Sequence, residues 1–444
     1  MNHILEYLCP MSLQAIYDTY LKHPLVQTDT RKIQAGEIYI ALKGPNFNGN
    51  LFARQALEKG AILAVVDEDP GFEDPRLIRV ADGLETLQEL ARHHRRQFRV
   101  PFLAITGSNG KTTTKELVHA VLSQKFRTYT TQGNLNNHIG IPLTILQIRP
   151  DAELAVIEMG ANHQKEIEGY CRVAMPTHGV ITNCGKAHLE GFGGEEGVRK
   201  GKGELYDYLR ANDGTAFVMW DYDYLRTMSE GIPHCVRYGT NDETCAGHAL
   251  ESEPFLVVKM DKGIGPVTIR TRLVGDYNLP NVLVAVAVGK YFGVPDENIT
   301  KAIEAYTPSN NRSQMVRKGT NEIILDAYNA NPNSMRLAIE NLARLHHPKK
   351  IVMIGGMMEL GENSIREHAE IVELLKKHAW QEVILVGGDF LKVPHPYRFF
   401  PNSAETMQWL REHPVEHAMV LVKGSRSMQM ERVMDGFPSR PVQS

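Results

Sequence analysis

Apolar runs of five or six residues alternate along the chain with stretches in which apolar residues recur every three or four positions. The run Pro101–Thr106 is typical of a buried strand. The apolar positions that follow have helical spacing: Leu117, Val118, Val121 and Leu122. Strands that alternate with helices favour a parallel sheet covered by helices, so the pattern predicts an α/β protein.

The alternation falls into three blocks, for which we predict the boundaries 1–98, 99–306 and 307–444. In the first block we expect strands at Ile38–Leu42 and Ala61–Val66 and helices at Asn50–Lys59 and Leu84–Phe98. The second helix ends in the charged run Ala91–Arg96, which we expect to be solvated because cations complement the carbonyl end of a helix.

The second and third blocks repeat the alternation. In the second block, after Pro101–Thr106, we predict strands Leu154–Met159 and Gly179–Thr182 and the helix Pro280–Phe292. The third block reads as a second, smaller doubly wound α/β domain. Its predicted strands are Glu322–Tyr328, Lys350–Gly355, Glu382–Gly387 and Ala418–Lys423, and its predicted helices are Ser334–Leu345 and Ile365–Lys377.

The composition of the chain excludes several classes of protein but does not indicate a function. The chain has 444 residues, 42% hydrophobic and 23% charged, with a net charge of -3. These values are typical of globular domains and give no electrostatic case for nucleic acid as a partner. Five dispersed cysteines without a C-x-x-C pair favour a reducing compartment. With acidic Glu6 and no long apolar run near the start, we expect a cytoplasmic protein without a membrane span.

The turn after Pro101–Thr106 carries the first chemical signal. It reads Gly107-Ser108-Asn109-Gly110-Lys111-Thr112 and lies between a predicted strand and a predicted helix. Glycines let a backbone approach a phosphate closely, Lys111 supplies a point charge, and Thr112 supplies a hydroxyl for Mg²⁺. The alternative is a chance glycine-rich turn. Because the flanking elements fit, the segment predicts binding of a nucleotide such as ATP.

The loop Thr106–Thr113 resembles that of the Mur ligases and folylpolyglutamate synthases, which are ATP-dependent amide-bond ligases. Its spacing, G-x-x-G-K-T, is shorter than that of the usual P-loop. Further blocks that carry the resemblance are Gly133–Thr144, Asp326–Met335, Met358–Gly361 and Val422–Arg426. The resemblance implies a small α/β N-terminal UDP-binding domain, a central P-loop ATPase domain with a parallel sheet, and a C-terminal Rossmann-like α/β domain.

Within that family, the segment Asp326–Met335 with its Asn-Ala-Asn-Pro sequence is similar to the branch that joins D-alanyl-D-alanine to UDP-N-acetylmuramoyl-tripeptide. The resemblance implies ATP and Mg²⁺ as cofactors and an acyl-phosphate intermediate. Two enzymatic alternatives remain, a sister ligase that adds one amino acid and a folylpolyglutamate synthase-like ligase. A degenerate ATP-binding module with a scaffolding role is a third. We expect a monomer that binds small molecules and no nucleic acid.

The resemblance also implies the catalytic and metal-binding residues. The catalytic set is Lys111, Glu158, His188 and Lys202, and the metal set is Thr112, Glu158, His188 and Lys202. Lys202 matches the family lysine that is carbamoylated, which converts a cation into an oxygen ligand; Lys200 is the competing candidate. Read without the family, Glu158 is a solvated strand end, His188 a structural histidine, and the two lysines are exposed.

The remaining site residues divide between ATP and the UDP substrate. For ATP the resemblance implies Thr106, Gly107, Ser108, Asn109, Gly110, Lys111, Thr112, Thr113, Asn281, Arg312 and Asp326. For the substrates it implies Thr30, Arg31, Lys43, Gly44, Asn48, Tyr328, Asn329 and Asn331. Physically, Arg31 and Lys43 could neutralise a diphosphate. We expect His368 to lie at a surface or between domains rather than to act in catalysis.

Overall fold

The computed structural model describes residues 10–241 and 244–438, so Glu6 and Cys9 lie outside the described residues. Two compact units share these residues. The first unit takes 10–104, 126–161 and 165–179, and the second takes 105–125, 162–164, 180–241 and 244–438. The predicted three-block boundaries, at 98/99 and 306/307, remain predictions.

The described residues form helices of four to seventeen residues, which we number in chain order. They are α1 Pro10–Lys22, α2 Ala53–Glu58, α3 Gly83–Arg95, α4 Lys111–Leu122, α5 Gly140–Leu146, α6 Glu166–Ala174, α7 Leu189–Phe192, α8 Glu195–Ala211, α9 Asp223–Met228, α10 Leu279–Tyr291, α11 Asp296–Ala305, α12 Pro332–Arg344, α13 Ser364–Lys376 and α14 Ser403–Glu412. In this part of the chain, no helix has the length and apolar content needed to cross a membrane.

The strands are numbered in the same way. They are β1 Val26–Gln27, β2 Ile38–Ile40, β3 Lys43–Gly44, β4 Phe47–Asn48, β5 Leu63–Val66, β6 Leu77–Arg79, β7 Phe102–Thr106, β8 Thr128–Thr130, β9 Leu154–Glu158, β10 His178–Ile181, β11 Thr215–Met219, β12 His234–Gly239, β13 Cys245–Glu251, β14 Phe255–Lys262, β15 Thr268–Val274, β16 Gln314–Lys318, β17 Asn321–Asp326, β18 Lys350–Gly355, β19 Glu382–Val386, β20 Arg398–Phe400 and β21 Met419–Lys423.

In the first unit, a parallel sheet has the strand order β1-β2-β5-β6. Tyr39, Ala64 and Val66 alternate onto one face of this sheet and pack with Leu57 of α2. Strands β8 and β9 pair in parallel, and β9 lies beside β7. Helices α3, α5 and α6 pack against one another. The predicted strands and helices of this region are therefore confirmed, with ends shifted by a few residues.

The expectation that Ala91–Arg96 is a solvated helix end is wrong for two residues. His94 and Arg95 are each only 5% exposed. The Arg95 guanidinium donates to the carbonyl oxygens of Ala174 and Met175 at 2.8 and 2.9 Å. Because its charge is satisfied by the carbonyl end of α6, a guanidinium can be buried here, and this partner lies too far along the chain for sequence periodicity to reveal.

In the second unit, the last residues of β7 and β10 begin a sheet that continues through β11, β12, β13, β14 and β15. Strands β11, β12 and β13 pair in parallel, whereas β13, β14 and β15 form an antiparallel ribbon. This ribbon was not predicted. Its strands are polar on one face, which is the pattern of a sheet that meets solvent on one side.

A second sheet of this unit has the strand order β16-β17-β21-β18-β19-β20. All of its pairings are parallel except that of the edge strand β16. Its core includes Ile323, Met353 and Val422, all fully buried. The α/β class and the predicted doubly wound third block are confirmed.

We expect Arg95→Ala to lower the free energy of unfolding by about 2–4 kcal/mol, because buried carbonyls lose their donor. The matched control is Arg96→Ala, since Arg96 is the exposed neighbour on the same helix end, and it should change stability by less than about 0.5 kcal/mol. Urea denaturation followed by circular dichroism measures both. Equal effects of the two substitutions would contradict the structural role of Arg95.

Candidate active site

The turn between β7 and α4 requires glycine at two positions. Gly107 has a φ of +141°, and a Cβ there would lie 2.0 Å from Thr182 Oγ1. Gly110 has a φ of +79° and precedes the first residue of α4; its Cβ would lie 2.7 Å from Asn281 Oδ1. No larger residue fits either place without displacing a neighbour. The glycines therefore set the close approach of the loop to its surroundings.

Residues that follow β10 hold the loop from one side. Thr182 Oγ1 donates to the Asn109 carbonyl at 2.6 Å, and the Asn183 side chain both accepts from Asn109 N–H at 3.1 Å and donates to the Asn109 carbonyl at 3.1 Å. Ser108 N–H donates to the Asn183 carbonyl at 2.9 Å. The sequence analysis gave Asn183 no role. Its position at the carboxyl end of a strand was the available signal.

Lys111 lies over the loop at the start of α4. Its Nζ donates to the carbonyls of Gly107 at 2.6 Å and Ser108 at 3.3 Å. Thr112 is buried, with 3% of its surface exposed. The first amides of a helix have no intrahelical acceptor, and the helix dipole places partial positive charge there. The loop thus joins a lysine charge, a hydroxyl and a positive helix end, which suits a phosphate.

Asn281 packs against the same turn from α10. Its Oδ1 accepts from Thr114 Oγ1 at 3.0 Å, and its Nδ2 donates to Asn278 Oδ1 at 2.9 Å. The Tyr277 hydroxyl contacts Ser313 Oγ at 3.0 Å, and burial raises the pKa of this phenol. The side chain of Asn281 packs against Gly110. The adenine contact predicted for Asn281 stays a prediction.

The predicted residues of the third block form a charged cluster at the end of β17. The Arg312 guanidinium lies 3.7 Å from the centre of the Tyr328 ring, and its buried Nε has no hydrogen-bond partner among the described residues. Asp326 accepts from Ser313 N–H at 3.1 Å and from Lys423 Nζ at 2.5 Å. A buried guanidinium nitrogen with an unused donor suits an anionic ligand such as the ATP phosphates.

Lys423 is a site residue whose partner the sequence did not indicate. From the sequence, Lys423 lies at the end of a strand in a segment that resembles the family, where it could face the ATP or the peptide. Its side chain is 1% exposed, and besides Asp326 it reaches the Asn329 carbonyl at 3.3 Å. Lys423 therefore fixes the Asp326 carboxylate and the start of the segment that follows. Parallel pairing of β17 with β21, Asp326 beside Lys423, is what brings them together.

Asn331 joins the third block to the phosphate loop within the second unit. Its side chain caps α12 by accepting from Ser334 N–H at 2.9 Å, in a reciprocal capping box. The Nδ2 of the same side chain donates to Asn109 Oδ1 at 2.7 Å. Asn329 Oδ1 accepts from Ala330 N–H at 2.9 Å, so it stabilises the turn before the helix. Asn331 thus has both a turn-forming role and a contact with the loop.

Among the predicted metal ligands in the second unit, Lys202 is a buried lysine on a helix. Lys202 is 1% exposed on α8, and its Nζ lies 4.9 Å from the centre of the Phe192 ring. The Lys200 side chain is 65% exposed and pairs with Glu196 at 2.9 Å. The alternative that both lysines are exposed is therefore wrong for Lys202, and burial favours Lys202 over Lys200 as the modified residue.

His188 precedes α7 with a φ of +52°, and its Nδ1 contacts the Glu359 carboxylate. The hydrogen bond from His188 lowers the pKa of Glu359 below its ordinary value. In the first unit, Glu158 is 1% exposed at the end of β9 and accepts from Asn136 Nδ2 at 2.7 Å. The alternative of a solvated strand end is therefore wrong for Glu158, and its role as a metal ligand stays a prediction.

The predicted donors suit Mg²⁺ by their chemistry, since they are a hydroxyl, a buried carboxylate, an imidazole and a lysine that can become a carbamate. Within residues 10–241 and 244–438, no three His, Cys, Asp or Glu side chains converge as a metal centre.

In the first unit, each predicted substrate-binding cation has a carboxylate partner. Arg31 pairs with Asp29 at 2.9 Å and holds the pKa of that carboxyl at about 2. Lys43 Nζ donates to Glu68 at 3.2 Å. Thr30 is buried, and its carbonyl accepts from the Lys59 side chain. A diphosphate at this place would compete with these ion pairs.

A two-stranded hairpin carries the other predicted substrate residues. Gly44 in β3 faces Phe47 in β4. Asn48 Oδ1 accepts from Asn50 N–H at 3.0 Å, and Asn50 Nδ2 donates to Asp67 at 2.7 Å. The side chains of Asn48 and Asn50 therefore stabilise the turn in which they lie.

The expectation that His368 lies at a surface or between domains is wrong. It is fully buried on α13, where burial lowers the pKa of the imidazole. Its Nε2 accepts from Met357 N–H at 3.0 Å, and its Nδ1 bonds to the Ser364 carbonyl at 2.7 Å. His368 shapes the loop that follows β18.

A phosphate-binding loop follows a buried strand, and a second doubly wound sheet beside it supplies a half-buried arginine and a half-buried aspartate. This arrangement defines a P-loop nucleotide-binding enzyme of several α/β layers. Comparisons with known proteins agree. Residues 105–289 match the Mur ligase middle domain, and residues 311–426 match the Mur ligase, glutamate ligase domain.

A relative with high similarity is the UDP-N-acetylmuramoyl-tripeptide–D-alanyl-D-alanine ligase of Bacillus subtilis strain 168, 32% identical over 94% of this chain and 93% of that protein. The crystal structure of MurF from Acinetobacter baumannii is 31% identical with a TM-score of 0.86, covering 96% of this chain and 97% of that one. MurF from Thermotoga maritima in complex with ADP is 26% identical with a TM-score of 0.83, covering 94% and 98%. This chain belongs to the Mur ligase family.

We expect Gly107→Ala to weaken ATP binding at least about 100-fold, because the added methyl group would force Thr182 and the loop apart. Isothermal titration calorimetry with ATP measures the change. The matched control is Gly169→Ala on α6, where a Cβ meets nothing within 4 Å and should favour the helix. Unchanged ATP affinity in Gly107→Ala would contradict the proposed loop geometry.

Proposed function

We propose that this chain is an ADP-forming ligase that joins D-alanyl-D-alanine to UDP-N-acetylmuramoyl-tripeptide and so makes the pentapeptide precursor of peptidoglycan. The observation that carries the proposal is the hydrogen bond from Asn331 to Asn109. It places the Asn-Ala-Asn-Pro segment, the most specific part of the sequence, on the phosphate loop. The Bacillus subtilis relative named above, a ligase of this dipeptide, supports the same acceptor.

The reaction forms an amide in two transfers. A carboxylate oxygen of the tripeptide attacks the γ-phosphorus of ATP, so that an acyl phosphate forms and ADP leaves. The dipeptide amine then attacks the acyl carbon, inorganic phosphate leaves, and the nitrogen loses a proton. Negative charge accumulates on the phosphate oxygens in the first transfer, so a site for it needs fixed positive charge and oriented donors.

The chain supplies these groups from two directions in the second unit. Lys111 and the first turn of α4 face the phosphates, and phosphate binding would replace the bonds that Lys111 Nζ makes to the loop carbonyls. Arg312 offers the buried Nε that has no partner among the described residues. We infer that Asp326, held by Lys423, accepts hydrogen bonds from hydroxyl groups of the nucleotide.

Mg²⁺, when bound, supplies positive charge to the phosphate oxygens. In the second unit, the residues that would hold it are Thr112, His188 and Lys202. As an ammonium, a buried lysine opposes a nearby cation; as a carbamate, it offers two oxygens and a negative charge. The burial of Lys202 supports it as the modified lysine in preference to the exposed Lys200.

The sister activities draw less support. A structure of a UDP-N-acetylmuramoyl-L-alanyl-D-glutamate–2,6-diaminopimelate ligase is only 17% identical with a TM-score of 0.53, which supports a shared fold alone.

We further propose that the chain works as a cytoplasmic monomer. Its five dispersed cysteines support the compartment, and size-exclusion chromatography with light scattering tests the state.

A coupled assay of ADP release tests the function. We expect release only when ATP, Mg²⁺, UDP-N-acetylmuramoyl-tripeptide and D-alanyl-D-alanine are all present. Release with a single amino acid in place of the dipeptide would favour a sister ligase. Absence of release with every acceptor would favour a binding module without catalysis.

We expect Lys202→Ala to lower the turnover number at least about 100-fold, because it removes both the carbamate oxygens and a packed stem. Lys200→Ala is the matched control. It should change turnover less than about 2-fold, since its side chain is solvated and pairs with Glu196 on the same helix. If the larger loss fell on Lys200→Ala, the assignment would move to Lys200.

A further inference from the structure

An ion pair joins the segment that follows β10 to helix α13. Lys186 Nζ donates to Glu367 Oε1 at 2.8 Å, and the two side chains are 27% and 1% exposed. A buried carboxylate is costly unless a cation compensates its charge. A second cation, Arg366, lies at 3.4 Å with a side chain that is 63% exposed. Lys186 is therefore the closer and less exposed partner of Glu367, and neither Lys186 nor Glu367 has a role in the reaction of the proposed function.

The residue before Lys186 is bound to the phosphate loop. Gly185 N–H donates to Ser108 Oγ at 3.0 Å, and Ser108 Oγ donates to the Gly185 carbonyl at 3.0 Å. The Asn183 side chain, two residues earlier, bonds to both the N–H and the carbonyl of Asn109. The segment is thus fixed to the loop at two places, so the backbone of Lys186 has a defined position relative to the phosphate loop.

The third block approaches the same segment through the start of α12. A Cβ on Gly185 would lie 2.4 Å from Asn333 Nδ2, so a larger residue would have to displace the Asn333 side chain. On the adjoining loop, Asn331 Nδ2 donates to Asn109 Oδ1 at 2.7 Å. These contacts of α12 involve neutral groups, whereas the contact of α13 with the segment joins two formal charges.

The sheet beneath these helices carries the residues that suit the nucleotide. Helix α13 packs on α12, and α12 packs on β18 and β21. Strand β21 pairs with β17, which ends at Asp326, and the Arg312 guanidinium lies over the ring of Tyr328, two residues after that strand. A constraint on α13 therefore acts on Asp326 and Arg312 through elements that are packed against one another.

We infer that Lys186 is a positioning residue for ATP. By holding Glu367, it seats the third block against the segment after β10, so that Arg312 and Asp326 face the phosphate loop. If the third block also has an unseated form, the apparent affinity for the nucleotide falls in proportion to the seated fraction, because only the seated form offers both sets of contacts. This inference rests on the proposed function for the roles of Arg312 and Asp326, but the ion pair is a property of the protein without a ligand.

The first measurement is the affinity of the full chain for the ATP analogue AMP-PNP with Mg²⁺, by isothermal titration calorimetry. Lys186→Met keeps the length of the side chain and removes its charge. We expect it to raise the Kd about 10-fold, because Glu367 is then buried without its closer cation. Glu367→Gln should give a rise of the same order. The double variant should bind no more weakly than either single variant, since both substitutions remove one interaction.

Arg336→Met is the matched control. Arg336 of α12 pairs with Glu370 of α13 at 3.7 Å, and their side chains are 44% and 42% exposed. Both residues belong to the third block, so loss of this pair leaves the attachment of α13 to the segment after β10 unchanged. The Kd should therefore change less than about 2-fold.

Two further readouts separate positioning from a purely structural role. In the coupled assay, the KM for ATP should rise about 10-fold in Lys186→Met while kcat changes less than about 3-fold, because saturating nucleotide restores the seated form. In hydrogen exchange of the ligand-free protein, residues 183–190 and 329–336 should exchange faster in Lys186→Met, whereas β18 should not. Saturating AMP-PNP should restore the slower exchange.

An unchanged Kd in Lys186→Met would overturn the inference, as would additive losses in the double variant or an equal loss in Arg336→Met. A fall in kcat with an unchanged KM for ATP, or faster exchange in β18, would also contradict it, because either result assigns Lys186 a structural role. If the unmodified chain released no ADP in the presence of the dipeptide, the proposed function would fail, and the calorimetry and hydrogen exchange would still decide the role of Lys186.

Discussion

The hydrogen bonds between the phosphate loop and the residues after β10 are the constraint on which the second unit's site depends. Thr182 and Asn183 bind the carbonyl and the N–H of Asn109, and Gly107 leaves no room between the loop and Thr182. A loop fixed in this way keeps its amides and Lys111 oriented before any ligand arrives. Preorganised donors cost no reorganisation during phosphoryl transfer.

The same loop is also the place where the third block meets the central sheet. Asn109 faces Asn183 through its backbone and Asn331 through its side-chain oxygen. The same side chain of Asn331 caps α12, because its Oδ1 accepts from Ser334 N–H. The start of that helix and the phosphate loop are therefore coupled through one asparagine, which explains why a turn-forming residue can also be a functional one.

The sequence pattern predicts the structural elements that depend on interactions between residues close together in the chain. The strand β7, the glycine turn and α4 follow from an apolar run, two glycines and helical spacing, and the doubly wound sheet follows from repeated alternation. Arg95, His368 and Lys423 were not readable in this way, because their burial depends on partners far along the chain: a helix end, a loop amide and Asp326. The antiparallel ribbon of β13, β14 and β15 has a polar face that weakens its apolar signal.

A buried polar residue outside a recognised motif is thus informative here, because burial of a charge is costly unless a partner compensates it. Lys202 and Lys423 are both 1% exposed, and the charge of Lys423 is compensated by the Asp326 carboxylate at 2.5 Å. The Nζ of Lys202 lies 4.9 Å from the centre of the Phe192 ring. In the proposed reaction Lys423 keeps its charge in order to hold Asp326, whereas Lys202 exchanges its charge for the oxygens of a carbamate, so burial alone does not distinguish the two roles.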